Sequence, residues 1–575
     1  MADTRFDMVI RNGTVVDGTR MPRFKADIAI KDGKIAEIGR VTGKGKKEID
    51  ATNLIVAPGA IDVHTHYDAQ LQWDPYASQS CWHGITSIVV SACGFGFAPC
   101  HPHDRERAMQ RMTRVEAIPY SAMKLGMRWD WVTQAEYMNS LKNAGLGVNV
   151  ASYIPQSPVR GYVLGTDDSK REHVTPAELE AMKEVVRDGY RAGAMGLSTD
   201  LNLIDRDFDG SVLPSLIAPM AETEALIAVA REFNVGSIEV TPKQLKIGPN
   251  EAEMLERWAN ISGRPVYYNA LIQEGHRPGA YKEALALLED MNKRVQVNGL
   301  GLTHELESLF NLIEYNLFDE MPAWNRALAC PLEQRIANLA NPEVRKTLQH
   351  DLDHHVERLW SGNWARLMVM EAKDPKLVGK YVSQIAAERG QNPLDVFCDI
   401  NVAERLETNF IIEDFANMDD DANQEMLLHP YVIPGLSDGG AHTQFLSLGK
   451  YPTILLAKWV RDKKVLSLEE AHWRLSHMAA ASIGMTGRGM LLPGLPADIM
   501  IYDLDKLAVT PEKPVYETII GGGRRLIQKA TGYRAILVNG VATFEHGECT
   551  NARPGDIWRT SVGEKYNEAL KKAAE

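Results

Sequence analysis

The sequence predicts an α/β protein, a parallel (β/α)8 barrel accompanied by a small β-domain that both chain ends build together. Three observations carry this expectation. Buried-strand patterns alternate with helical ones through the middle of the chain, hairpin-type alternation occupies both ends, and residues able to hold a metal recur where the predicted strands finish.

At 575 residues, 45% hydrophobic and 24% charged, the chain has an ordinary globular composition and enough length for a large core and more than one folding unit. A formal net charge of -13 argues against a nucleic-acid partner, because phosphate binding needs clustered Lys and Arg and no basic run is present. No apolar run approaches ~18 residues, and the opening Met1-Ala-Asp-Thr-Arg-Phe-Asp-Met-Val-Ile has no charged-then-apolar leader. The expectation is a cytoplasmic protein without a membrane partner. Six cysteines (Cys81, Cys93, Cys100, Cys330, Cys398, Cys549) are too sparse for a disulfide framework, and none forms a Cys-x-x-Cys pair. A homo-oligomer is left open.

Residues 7–57 alternate apolar and polar positions in short runs (Asp7 to Val16, Asp27 to Ile30, Lys34 to Ile38), with Asn12-Gly13 and Asp32-Gly33 offering the positive φ of tight turns. The same signature returns in Ala497 to Asp503 and in Tyr533 to His546, with Asn539-Gly540 as its turn. A composite domain of residues 1–57 and 485–575 is expected. Between them, over 58–484, strand candidates are Ile61 to His66, Thr86 to Ala92, Gly147 to Ile154, Ala194 to Ser198, Val235 to Val240, Pro265 to Leu271, Val295 to Leu302 and Val432 to Ser437. The helices between them have start signals. Thr175-Pro176-Ala177-Glu178 offers an N-cap, Pro at the first helical position and Glu three residues after the cap, followed by Leu179, Met182, Val186 and Tyr190 on one face. Leu367 to Val369 and Phe410 to Ile412 compete for the seventh strand. Residues 303–362 read as an insertion.

The chemistry is centred on Gly59-Ala-Ile-Asp-Val-His64-Thr-His66. Side chains at i and i+2 of a strand share a face, so His64 and His66 point the same way, like two ligands of one ion. Cys93 ends the next apolar run, where a nearby cation would favour its thiolate. Glu239 interrupts the strand Val235 to Val240, as a metal bridge or as a salt-bridged rim residue. Asp438 follows the last strand, where an aspartate can ligate a metal and exchange protons with water. Tyr153, Asn269 and His442 are candidates to orient a tetrahedral oxyanion. His83, near the amino end of the second strand, reads as structural.

Together, Ala57-Pro-Gly-Ala-Ile-Asp-Val-His64-Thr-His66, Trp82-His-Gly-Ile-Thr-Ser87, Cys93-Gly94 and Ser437-Asp438-Gly439 resemble the amidohydrolase superfamily, in particular its N-acyl-D-amino-acid deacylase (D-aminoacylase) branch. Gly494-Leu-Pro-Ala-Asp-Ile499 and Val538-Asn-Gly540 resemble that branch's closing strands. The resemblance implies a distorted (β/α)8 barrel with a terminal β-sandwich and a hydrolytic divalent metal, usually Zn2+, as one ion with at most a weak second. It places His64 and His66 as ligands, Cys93 as the bridging cysteine and Asp438 as the catalytic aspartate. The branch's two further ligand histidines fall at Glu239 and at Ala270 or its neighbour Asn269. Its substrate-carboxylate clamp is replaced by Ile272 and about Leu446, which leaves a substrate carboxylate without an anchor unless Arg160 or Lys243 serves.

The expected function is therefore hydrolysis of a small-molecule linear amide, an N-acyl amino acid or a bulkier apolar amide. Aromatic residues of the insertion region (Phe310, Trp324, Trp360, Trp364) are expected to shape an apolar site. The alternatives are a cyclic-amide hydrolase or ring deaminase, and a noncatalytic binding barrel, against which His64, His66 and Asp438 together argue.

Overall fold

Eight strands run parallel and in chain order: Ala60–Asp62, Ile85–Val90, Asn149–Ser152 continued by Ile154–Pro155, Gly196–Asp200, Ser237–Thr241, Val266–Leu271, Val297–Gly301 and Val432–Pro434. The computed structural model describes residues 4–243, 247–274, 277–313, 318, 320–355 and 360–574. The ring closes where the chain beyond the first strand meets the loop after the last. Thr65 bridges Gly439 in parallel, and His66 N–H donates to Gly439 O at 2.6 Å. Most of these strands coincide with an apolar run, since a strand covered on both faces has no solvent side to mark with polar residues, but Gly196–Asp200 is wholly buried with Ser198, Thr199 and Asp200 in it.

The helices between strands are set by their ends. Pro176–Ala192 starts at Thr175, whose hydroxyl accepts from Glu178 N–H while the Glu178 carboxylate accepts from Thr175 N–H, and it stops at Gly193. Met182, Val186 and Tyr190 are its buried stripe, packed with Leu197 and Ile238 of the barrel strands. This is the amphipathic pattern of a helix lying on a sheet.

Both chain ends meet in one nine-stranded sheet, in which Ile499–Tyr502 lies between Ile55–Pro58 and Tyr533–Val538. Ile10, Ile28, Val56, Ile499 and Leu537 fill its buried face. Asp32-Gly33 and Asn539-Gly540 supply positive φ between paired strands. Asn12-Gly13 does not separate strands. It is a register shift inside the single strand Thr4–Val15, where Asn12 at φ 61° kinks the ladder as a bulge.

The insertion is longer than expected. It does not end at 362, because Leu306–Phe310, Asn409–Ala416 and Leu367–Glu371 form an antiparallel sheet between the seventh and eighth barrel strands. The two runs that competed for the seventh strand thus belong to the insertion. Short apolar runs do not reveal whether their partners are parallel or antiparallel. Phe310, Trp324, Trp360, Phe397 and Phe410 fill the insertion's own core.

His83 has the structural setting expected of it. Its ring nitrogens lie 2.8 Å from Thr453 Oγ1 and 3.0 Å from Gln528 O. Burial lowers its pKa to about 4. In the unfolded chain the same group accepts a proton near pH 6.5, so stability is lost as pH falls from there toward 4. His83 alone should cost about 2 kcal/mol by pH 5. Thermal unfolding at pH 7 and pH 5 checks this. The loss on acidification should be visibly smaller in His83→Gln than in the parent, and an unchanged loss would show that other groups govern it.

Candidate metal centre

Beyond Asp62 the chain leaves the first strand and carries His64 and His66, both wholly buried, to the carboxyl-terminal mouth of the barrel. Their ring centroids are 5.4 Å apart. Cys93, three residues past the second strand, brings Sγ to 3.3 Å from His64 Nε2. His64, His66 and Cys93 each offer a donor atom within 4.8 Å of the others. From the loop after the eighth strand, Asp438 Oδ1 reaches 3.5 Å from Nε2 of both histidines.

The local backbone is bent to make this convergence. Ser91, Cys93, Asp438 and His442 all take positive φ (62°, 51°, 49° and 48°). Such left-handed positions cost a non-glycine residue on the order of 1 kcal/mol or more and persist where the surroundings over-determine them. Gly440, at φ 90°, is glycine for a steric reason as well. A Cβ there would stand 2.5 Å from His66 O, against the seam of the barrel.

The opposite ends of the two imidazoles face carboxylates. His64 Nδ1 lies 3.6 Å from Glu239 Oε1, and His66 Nδ1 lies 3.5 Å from Glu116 Oε1. Glu116 Oε2 is in turn 3.4 Å from His442 Nε2. Burial lifts Glu116 and Glu239 to about 8. Burial works against the His66 imidazolium, yet Glu116 and Asp438 together raise its pKa to about 10. Burial would also raise Asp438, but the His64 and His66 imidazoles beside it hold it well below the usual carboxylate range. Burial lowers His64 and pushes the Cys93 thiol up.

This is a donor set short of positive charge. Both ring nitrogens of His66 and Nδ1 of His64 have no hydrogen-bond partner despite full burial, and the ionised Asp438 stands beside them. A divalent ion among His64 Nε2, His66 Nε2, Cys93 Sγ and Asp438 Oδ1 would satisfy the orphaned His66 Nε2 and the charge of Asp438 together, leaving each Nδ1 turned toward its glutamate. The residues present therefore fit a metal.

A cavity of about 170 Å³ opens on this cluster. Asn269 and His442 line it, as do Ile272 and Leu446. Other expected binding residues lie elsewhere. Arg160 is wholly buried in the helix Gln156–Leu164, its Nε 2.9 Å from Glu222 Oε1 and its other nitrogens donating to the carbonyls of Ser169, Arg171 and Glu172. Every arm of that guanidinium is committed to the fold. Tyr153 Oη is 2.7 Å from Ser237 Oγ, buried between strands. Lys243 is exposed and does not line the cavity. The apolar wall is likewise not made by Phe310, Trp324, Trp360 and Trp364, which pack within the insertion. It is made by Ile272, Leu306, Phe415, Phe445, Leu446 and Leu448.

Glu116 is the residue that sequence reading missed. It sits on the buried stripe Met109, Met112, Val115 and Glu116 at the carboxyl end of the helix Arg105–Glu116. A carboxylate at that end opposes the helix dipole and gains nothing from an apolar face. That double conflict was the available signal. Asp205, which also lines the cavity and is lifted to about 7 by burial, stands in a loop without such a mark.

A parallel barrel presenting imidazoles, a thiol and a carboxylate at the carboxyl ends of its strands has the build of a metal-dependent hydrolase. The chain belongs to the amidohydrolase family, whose model matches residues 47–544. The model of the urease alpha-subunit N-terminal domain matches residues 1–61. An uncharacterised protein of Mycobacterium tuberculosis is 30% identical, over 94% of this chain and 92% of its own. The D-aminoacylase of Alcaligenes xylosoxydans xylosoxydans is 25% identical over 96% of this chain and 97% of its own. Among solved structures, an N-acyl-D-glutamate deacylase from Bordetella bronchiseptica, complexed with zinc and a phosphonate inhibitor, superposes with a TM-score of 0.67. It is 23% identical and covers 96% of this chain and 100% of its own. The protein is thus an enzyme, a hydrolase of carbon–nitrogen bonds other than peptide bonds. The expected fold class, an α/β barrel with a separate sheet domain, holds.

Proposed function

We propose that the enzyme hydrolyses linear amides with a bulky apolar portion and no free carboxylate next to the scissile bond, using one zinc ion held by His64, His66, Cys93 and Asp438. The observation that carries this reading is the cavity wall. Among the described residues no Lys or Arg lines it, and Ile272 and Leu446 occupy the positions at which the resemblance places a carboxylate clamp. A buried carboxylate without charge-assisted hydrogen bonds is costly. Asp438, held ionised in the same cavity, would repel one.

When bound, the ion would act as a Lewis acid toward the amide carbonyl and lower the pKa of water. The chain's own residues do the rest. Asp438 takes the proton from the attacking water on its carboxylate and passes it to the leaving nitrogen, which cannot depart as an amide anion. His442, which lines the cavity, orients the tetrahedral oxyanion. Ile272, Phe415, Phe445 and Leu446 seat the apolar portion and exclude bulk water. Free thiols at all six cysteines support a reducing, cytoplasmic setting.

The test is kcat/KM on an N-acyl-D-amino acid against that on its neutral amide or ester analogue, with products identified by mass spectrometry. The neutral analogue should be preferred at least ~10-fold, the equivalent of about 1.4 kcal/mol. Free amine and carboxylic acid should appear together. A strong preference for the free acid would return the assignment to an N-acyl-amino-acid deacylase, and a single ring-opened product to a cyclic-amide hydrolase.

A further inference from the structure

Asn269 ends up beside the donor cluster on the sixth barrel strand, Val266–Leu271. Its amide has one hydrogen-bonding orientation that fits its surroundings. Turned so that Nδ2 donates, it reaches Glu239 Oε1 at 2.7 Å, Val240 O at 3.1 Å and Thr241 Oγ1 at 3.2 Å. These neighbours can all accept, and the Val240 carbonyl can do nothing else, so the nitrogen belongs on that side. The other end of the amide, the oxygen, is then the end that faces His64 Nε2 (3.5 Å) and Cys93 Sγ (3.6 Å).

Glu239 is what holds it there. Its Oε2 accepts from Cys93 N–H at 2.9 Å, and its Oε1 receives the Asn269 amide. Both oxygens of this carboxylate are occupied on the far side of His64, at Nδ1. It therefore braces His64, Cys93 and Asn269 without facing the point on which their donors converge.

Building on the metal-dependent reading above, we infer that Asn269 Oδ1 is a neutral oxygen donor to the ion held by His64 and Cys93, and that Glu239 is its positioning residue and not a ligand. A single soft and basic cluster with one neutral oxygen is a site for one tightly held ion. Nothing at this position offers the second strong nitrogen donor that a tight ion pair needs.

The test is metal binding itself. Zn2+ affinity, measured by chelator competition, and the visible spectrum of the Co2+-loaded protein are compared for the parent, Asn269→Ala and Asn269→Asp. Asn269→Ala should weaken Zn2+ binding by ~10-fold or more and alter the Co2+ ligand-field bands, while Asn269→Asp, which keeps an oxygen there, should retain both. Should the Ala variant fail to fold, Asn269→Leu replaces it against Asn269→Asp with the same expected contrast. Equal affinity and an unchanged Co2+ spectrum in a folded Ala or Leu variant would overturn this inference alone. A parent protein that binds neither ion would instead overturn the metal reading on which it rests.

Discussion

Replacing Asp438 by Asn is expected to lower turnover by at least ~100-fold while leaving KM within a few-fold of the parent. The residue stands between Nε2 of His64 and Nε2 of His66, 3.5 Å from each, at the edge of the cavity. Its neighbours hold it ionised, so at neutral pH it is ready to accept a proton, and the amide of Asn is not. A loss in kcat with KM preserved is the mark of an interaction made only in the transition state. Steady-state kinetics on the best neutral amide, with zinc content assayed on the same preparation, checks it. Near-normal turnover would mean that another group moves the proton, with His442 the next candidate.

His66→Ala should have the larger effect, removing both bound zinc and measurable turnover. Two consequences combine. A donor to the ion is lost, and Glu116, buried against His66 Nδ1 at 3.5 Å, loses its nearest cationic neighbour. Glu116, already lifted to about 8 by burial, rises further without that neighbour and stays neutral, so the variant should remain folded at neutral pH. Metal analysis after dialysis, together with circular dichroism, separates the two. A folded variant that keeps full activity without metal would remove the basis for a metal-dependent mechanism.

How far the sequence can be read differs from element to element for physical reasons. Most of the barrel strands are legible because strands covered on both sides become apolar runs between breakers, and the histidine pair is legible from its i, i+2 spacing, although the strand it was expected to end stops at Asp62. Arg160 is illegible in the same terms. Its partner Glu222 lies 62 positions along the chain, and nothing local distinguishes a guanidinium that braces a helix from one that waits for a substrate. The insertion's end at 362 fails similarly, since Phe410 to Ile412 finds its antiparallel partners in Leu306–Phe310 and Leu367–Glu371, pairings that depend on register across long separations. Glu116 lies between these cases, marked by its conflict with its own helix but not by its destination.

The seam of the barrel has a temporal consequence. The contacts that close the ring, Thr65 against Gly439 and His66 N–H on Gly439 O, lie within the same few residues that supply the donors His64 and His66 and the proton carrier Asp438. A chain emerging from the ribosome holds its two histidines from the start, yet it has no seam until the whole insertion and the eighth strand have been made. Shortly afterwards Ile499–Tyr502 pairs with Ile55–Pro58 and ties the far end of the chain to its beginning. Competence to hold the ion in its full donor set should thus arrive late and abruptly during synthesis, so that a nascent chain released before residue 438 is emptied of catalytic hazard as well as of function.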